Sequence, residues 1–300
     1  MDSNINRSFE LSLLCLLALL WGSSYLFAKV ALAEVPPLSL VAVRVSVAAV
    51  FLLIVMAAKQ DRLPRDKHTW ARLGLQSVFI GFGSWTILAW GQQFVDAGLA
   101  SVLNSTSPIF VVLITAVITR HEHLGLRKIA GAILGLAGVA LIIGFDVLSG
   151  LGQQVAGQLA CLIAAALYGA AAINGKRFSH LSSTTTAAGT MIWSTAILIP
   201  AAFIFEDPLS LTPEPKAIFA MLMLSVFCTG VALLLYFRLV RTLGSLGAAS
   251  QAYLRAGVGL CLGILVLGEQ ISLSSLVGLL AAIAGVMAIN WPVNAHRGEA

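Results

Sequence analysis

Two arginines stand where a charge is costly. Arg44 and Arg255 each lie inside a long apolar stretch of the 300-residue sequence, and an ionised side chain there costs at least about 2.5 to 3.5 kcal/mol on membrane-insertion scales. Such a group faces a cavity or a partner, and an obvious partner for Arg255 is a solute that bears a carboxylate. The alternative is that Arg255 snorkels to the nearer surface or bonds to backbone carbonyls. A second polar group, Asn104, Ser105, Thr106 and Ser107, directly precedes Pro108. Proline removes a backbone donor and frees carbonyls, so a broken helix with a solute-facing surface is predicted here. The same hydroxyls can also bond harmlessly to their own helix. Ser24 and Ser84 are further polar candidates. Trp21, Tyr25, Trp85, Trp90, Tyr168, Trp193 and Tyr253 are candidate aromatic walls for the apolar part of a solute. Tryptophan and tyrosine also collect at bilayer interfaces, which is the reading for Trp90 near a helix end.

Other chemistry lacks its residues. There is no GxxxxGK[ST] phosphate loop, no HExxH and no pair of intramembrane carboxylates, so neither ATP hydrolysis by that route nor an enzyme activity is expected. No Asp or Glu is expected deep in a span, which leaves no buried carboxylate to carry protons and makes facilitated efflux the simplest mechanism. Cys15, Cys161, Cys228 and Cys261 are scattered singly and read as small core residues. His121, Glu122 and His123 are consecutive and read as a solvated helix end, so neither a metal nor a cofactor is expected.

These side chains must be positioned by a membrane fold. Hydrophobic residues make up 59% and charged residues 10% of the chain, with mean hydropathy +0.94, whereas soluble domains carry roughly a quarter charged. The lipid bilayer is therefore the expected surrounding. Apolar windows of about twenty residues, each enough to cross roughly 30 Å of hydrocarbon, fall near 9–31, 38–58, 70–92, 98–119 and 127–145, then 155–175, 184–204, 215–237, 246–267 and 274–291. The first is read as a retained helix, because it is longer than a signal-peptide core and lacks a clear cleavage site. All of the lysines and arginines except Lys29, Arg44, Lys216 and Arg255 fall on the side of the N-terminus. Cytoplasmic loops hold such an excess, so both termini are expected in the cytoplasm, and the net charge of +5 reflects topology rather than nucleic-acid binding.

Sliding the sequence on itself by 147 residues aligns its halves without a net gap. Gly22 and Lys29 fall on Gly169 and Lys176, Gly83 on Gly230, Glu122 on Glu269, and Gly131 and Gly138 on Gly278 and Gly285. Five spans per half is an odd number, so the second half enters the bilayer from the opposite face. The expectation is an all-α integral membrane protein of ten transmembrane helices in two inverted five-helix repeats, 1–147 and 148–300, around a central cavity. Inverted repeats suit alternating access, with solute held near the midplane. Gly131, Gly135 and Gly138, with Gly278 and Gly285, form small-residue faces for close helix approach, by packing within the chain or in a dimer.

The WGSSYLFAKVA segment from Trp21, Arg44, the NSTSPIF segment at 104–110, and the paired Glu122 and Glu269 together resemble the drug/metabolite transporter superfamily of EamA type. The resemblance runs from about residue 11 to 291, and within the superfamily it points toward bacterial amino-acid and metabolite exporters of the inner membrane. It implies a cavity lined by helices 1, 3, 4, 6, 8 and 9, with helices 5 and 10 supporting packing. It also implies a structural or gating role for Arg44; Pro108, through its helix break, and Gly131 and Gly278, through close packing, are assigned structural or gating roles from the residues themselves. Two departures stand out. Many relatives carry Glu-Pro in helix nine where this chain reads Tyr253, Leu254, Arg255, Ala256, and many carry Asn where Ser84 stands. The resulting expectation is export of small amino acids, aromatic and neutral, or related metabolites, by a monomer. Sugar-phosphate or drug transport is the alternative within the superfamily. A lipid-modifying enzyme would need a convergent acid, base or metal set, and a structural membrane protein would have no use for a polar and aromatic lining.

Overall fold

A computed structural model describes residues 6–95, 97–119, 125–143, 154–255, 257–258 and 273–291. Among these residues every regular element is a helix. Helix α1, Arg7–Leu32, starts at Asn6, whose side chain accepts from the Phe9 N–H. Pro37 opens α2, Pro37–Ala58, where a missing N–H is harmless. Helix α3, Lys67–Gln76, passes through a π-helical turn, Ser77–Gly81, into α4, Phe82–Gly91. Helices α5, Ala97–Asn104, and α6, Ser107–Ile114, are separated at Ser105 and Thr106, so the polar run before Pro108 does break its helix. Then come α7, Leu126–Ile143, α8, Val155–Gly175, and α9, Ser183–Phe205. A π turn, Thr115–Thr119, follows α6, and helix α10, Pro215–Ser225, runs through a further π turn, Val226–Val231, into α11, Ala232–Ala249. The final helix is α12, Leu273–Asn290.

Inside α11 the chain breaks at Gly244, where φ is 81° and ψ 176°. A side chain is strained in that region, and glycine turns the chain there between the eighth apolar window and the ninth. The eighth helix therefore runs past the sequence boundary at 237, to Leu243. Residues 251–255 are again helical. Glu122, Glu269, Cys261 and the His121–His123 run lie outside the described residues, as do 256 and 259–267 of the ninth window.

Among the described residues six helical runs are long and apolar enough to cross a membrane: Arg7–Leu32, Pro37–Ala58, Lys67–Gly91, Val155–Phe178, Ser183–Phe205 and Pro215–Ala249. Val102–Val117 and Leu276–Asn290 are shorter apolar helices. Helix α2 shows why these helices suit a bilayer. It buries Val41, Val45, Ala48 and Leu52 on one face while Val50 and Ile54 stand exposed on another. Ile204 and Phe205 on α9 are similarly bare. In water such a surface would aggregate; lipid is its natural solvent.

Helix pairing follows the 147-residue shift. Helix α2 packs on α9 and α7 on α12, each partner being the other's counterpart in the second half. Contacts of α1 with α10 and α11 are mirrored by those of α8 with α4. The π turns at 77–81 and 226–231 also fall at corresponding places. The α7–α12 contact is close, because its faces are glycine: a Cβ on Gly131 would sit 2.9 Å from the Gly285 carbonyl oxygen, and one on Gly138 would sit 2.6 Å from that of Gly278.

One buried polar contact joins α3 to α8. Gln76 Nε2 donates to the Ala171 carbonyl at 3.0 Å, and Asn174 Nδ2 donates to Gln76 Oε1 at 2.7 Å. Gln76→Leu strands two buried partners, and a stranded buried group costs about 1 to 3 kcal/mol. The expected result is a clearly lower melting temperature in detergent. Melting equal to wild type would show that the pair contributes nothing.

Candidate functional site

The π turns at 77–81 and 226–231 set the geometry of the centre. A Cβ on Gly83 would lie 2.1 Å from the Val78 carbonyl oxygen, so the first π turn needs glycine at 83, and Ser84 and Trp85 follow it into the interior. In the π turn at 226–231 the Cys228 carbonyl accepts the Trp21 indole N–H at 3.0 Å. The Thr229 hydroxyl donates to the Leu224 carbonyl and accepts from Arg44 Nε at 2.7 Å. The Arg44 guanidinium then lies over the Trp85 ring, 4.0 Å from its centroid, an attractive cation–π arrangement.

These groups surround an inner chamber with free room of about 30 Å³. Trp21, Ser24, Tyr25, Arg44, Trp85, Tyr168 and Arg255 all line it, so seven of the sequence candidates are gathered by α1, α2, α4, α8 and the 251–255 segment. Tyr168 stands 6.1 Å from Trp21, centroid to centroid, and Arg255 lies over the Trp21 ring at 5.6 Å. Tyr25 and Gln92 line both the chamber and a vestibule of about 490 Å³. The vestibule opens at the ends of α1 and α4, beside Lys29, Leu32, Gln93 and Phe94. The Tyr25 hydroxyl, at the neck, accepts from Asn104 Nδ2 at 2.7 Å and lies 3.4 Å from Arg255 Nη1.

Other candidates are placed elsewhere. Asn104 is buried and reaches the chamber only through Tyr25, while Ser84 and Ser107 are buried without lining it. Tyr253 points away: its hydroxyl donates to the Ala132 carbonyl at 2.7 Å, and its ring covers Gly135, where a Cβ would come within 2.3 Å. It joins the ninth window to α7 and leaves the lining to Arg255. Trp193 donates to the Trp70 carbonyl and lies against Gly74, and Trp90 is 42% exposed beside Phe94. Cys161 and Cys228 are buried, but Cys15 is exposed on α1. Pro108 is buried at the start of α6.

Sequence reasoning overlooked three groups. Thr229 orients Arg44, and its neighbour Gly230, a repeat match, was the available signal. Gln92 sits at the neck. Glu10 is only 2% exposed although it opens the first helix. Its carboxylate accepts from Arg238 Nη2 at 2.7 Å, Arg238 Nε at 3.1 Å and the Thr242 hydroxyl at 2.9 Å. This ties α1 to α11 at the end of the bundle opposite the vestibule.

The sequence profile of the EamA-like transporter family matches the chain twice, at residues 8–144 and 155–291. YoaV of Bacillus subtilis, described as an uncharacterized transporter, is 28% identical over 269 residues, covering 89% of this chain and 92% of its own. YedA of Escherichia coli K12, described as an uncharacterized inner membrane transporter, is 27% identical over 260 residues, covering 85% and 82%. A crystal structure of 19% sequence identity superposes with a TM-score of 0.78 over 95% of this chain and 98% of its own, which shows a shared fold.

Proposed function

Because the chain belongs to the EamA-like transporter family, within the drug/metabolite transporter superfamily, we propose that it exports small organic solutes, amino acids and related metabolites foremost, by alternating access. In this reading ten transmembrane helices form two inverted repeats, 1–147 and 148–300, working as a monomer in the bacterial inner membrane with both termini cytoplasmic. The observation that carries it is the arrangement along the bundle: a vestibule open at one end, an aromatic and arginine-lined chamber beneath it, and the Glu10–Arg238 pair at the other end. Exchange of these two ends is what alternating access requires. The symmetric helix pairings and matched π turns support the inverted repeat, and the arginine-rich loops support the orientation.

The test is flux of a panel of radiolabelled amino acids into proteoliposomes carrying wild type or Trp85→Ala, compared at equal amounts of folded protein. Removing the indole takes away the surface under Arg44 and one wall of the chamber. The expected result is saturable wild-type flux that falls at least about tenfold, the equivalent of 1.36 kcal/mol in barrier. Absence of amino-acid flux in wild type would reassign the cargo to phosphorylated sugars or cationic drugs.

A further inference from the structure

The chamber concentrates positive charge and leaves part of it unanswered. Among the described residues Arg44 meets neutral groups, the Thr229 hydroxyl and the Trp85 ring. Arg255 is 6% exposed; its Nη1 lies 3.4 Å from the Tyr25 hydroxyl, while Nε and Nη2 have no hydrogen-bond partner among the described residues. Among the described residues no carboxylate lines the chamber or the vestibule, whereas Lys29 stands in the vestibule wall.

An unpartnered buried guanidinium is costly, and that cost vanishes when an anion takes its place beside it. The Nε–Nη2 edge is a fork that holds two oxygens of a carboxylate or phosphate by parallel hydrogen bonds. Room matters too. A space of about 30 Å³ admits a group of one or two water-sized volumes, whereas the vestibule of about 490 Å³ falls within the roughly 300 to 1,000 Å³ range of small-molecule pockets. A zwitterion would also bring an ammonium group toward two guanidiniums with no carboxylate on the described lining to receive it.

We propose that, among the small organic solutes of the transport reading, the preferred cargo is a net anion without an ammonium group, a metabolite acid rather than an amino acid: its oxyanion head enters the chamber onto the free edge of Arg255 and its organic body rests in the vestibule. This deepens the transport reading and rests on it. It places acids without a free amine ahead of zwitterionic amino acids and excludes cations, by the same charge complementarity that discriminates partners elsewhere.

Four probes that share a phenyl ring and differ in charge test this: 3-phenylpropionate, phenyl phosphate, phenylalanine and phenethylamine. Binding to the purified full-length chain in detergent is measured by titration calorimetry. At least one anion is expected to bind ten times more tightly than phenylalanine, phenethylamine is expected not to bind, and the two anions decide between carboxylate and phosphate. Arg255→Gln should weaken the preferred anion at least tenfold, with Arg255→Lys recovering part of the loss. Phenylalanine binding as well as either anion, preference for the amine, or no anion binding would each overturn the proposal in wild type, whatever the stability of the variants. Proteoliposome flux separates the two readings. Saturable phenylalanine or amine flux unaffected by Arg255→Gln removes the charge assignment and leaves transport intact, whereas no flux of any probe or amino acid removes both.

Discussion

Gly285→Leu is expected to yield no folded protein, and Gly285→Ala to melt several degrees below wild type. A Cβ at 285 would lie 2.6 Å from the Gly131 carbonyl oxygen, 2.6 Å from the Gly135 nitrogen and 2.8 Å from the Gly135 Cα. All three are backbone atoms, so no rotamer change on α7 can make room. The reciprocal position is as tight, with a Cβ on Gly138 meeting the Ala282 nitrogen at 2.5 Å. Overpacking by a methyl group costs about 1 to 3 kcal/mol in soluble cores. Here the two helix backbones must also separate, and close packing is much of what holds helices together in lipid. Gly125→Ala is the control, since its Cβ would meet nothing within 4 Å. Detergent melting curves decide: Gly285→Ala indistinguishable from Gly125→Ala would mean that α7 and α12 do not meet through these glycines.

Glu10→Gln should open the end of the bundle at which α1 begins. The carboxylate is buried and holds Arg238 and Thr242 of α11. Hydrogen bonds to charged groups contribute about 1.5 to 3 kcal/mol, but the Arg238 side chain is 43% exposed, so solvent screening lowers the effect of this pair. A net loss of about 1.4 kcal/mol would shift the ratio of closed to open forms tenfold. Spin labels replacing the exposed Arg7 and Arg241 in a cysteine-free background report the separation of α1 and α11 at this end. The expected result is growth of a longer-distance population in Glu10→Gln, reversed when Glu10→Lys is combined with Arg238→Glu. Unchanged distance distributions would show that the pair is not a latch.

Much of this architecture is written in one-dimensional regularities. An apolar stretch that starts with a proline directly behind a polar run, as at 104–119, can do little in lipid but form a helix that breaks at that run, and α5 and α6 do so. The glycines of α7 and α12 were recognisable as close-approach faces because spacing along one helix is local information. Arg44 and Arg255 announced a polar interior because a charge in hydrocarbon must be answered somewhere.

The facing of each side chain was not local. Tyr253 and Arg255 are two residues apart, roughly opposite in helical rotation, so one meets α7 and the other the chamber; nothing in the sequence says which. The π turns, each adding a residue to a helical turn, re-aim Trp85 and bring Thr229 beneath Arg44. Glu10 drew no notice in the sequence, because the partner that buries it, Arg238, is 228 residues away. Composition, window length and the 147-residue repeat determined a membrane-embedded helical protein of repeated halves, because burial in lipid acts on each segment separately. Which faces meet, which end stands open and which guanidinium edge is left free were decided only by the tertiary structure, because those depend on pairs of residues that the chain brings together from opposite halves.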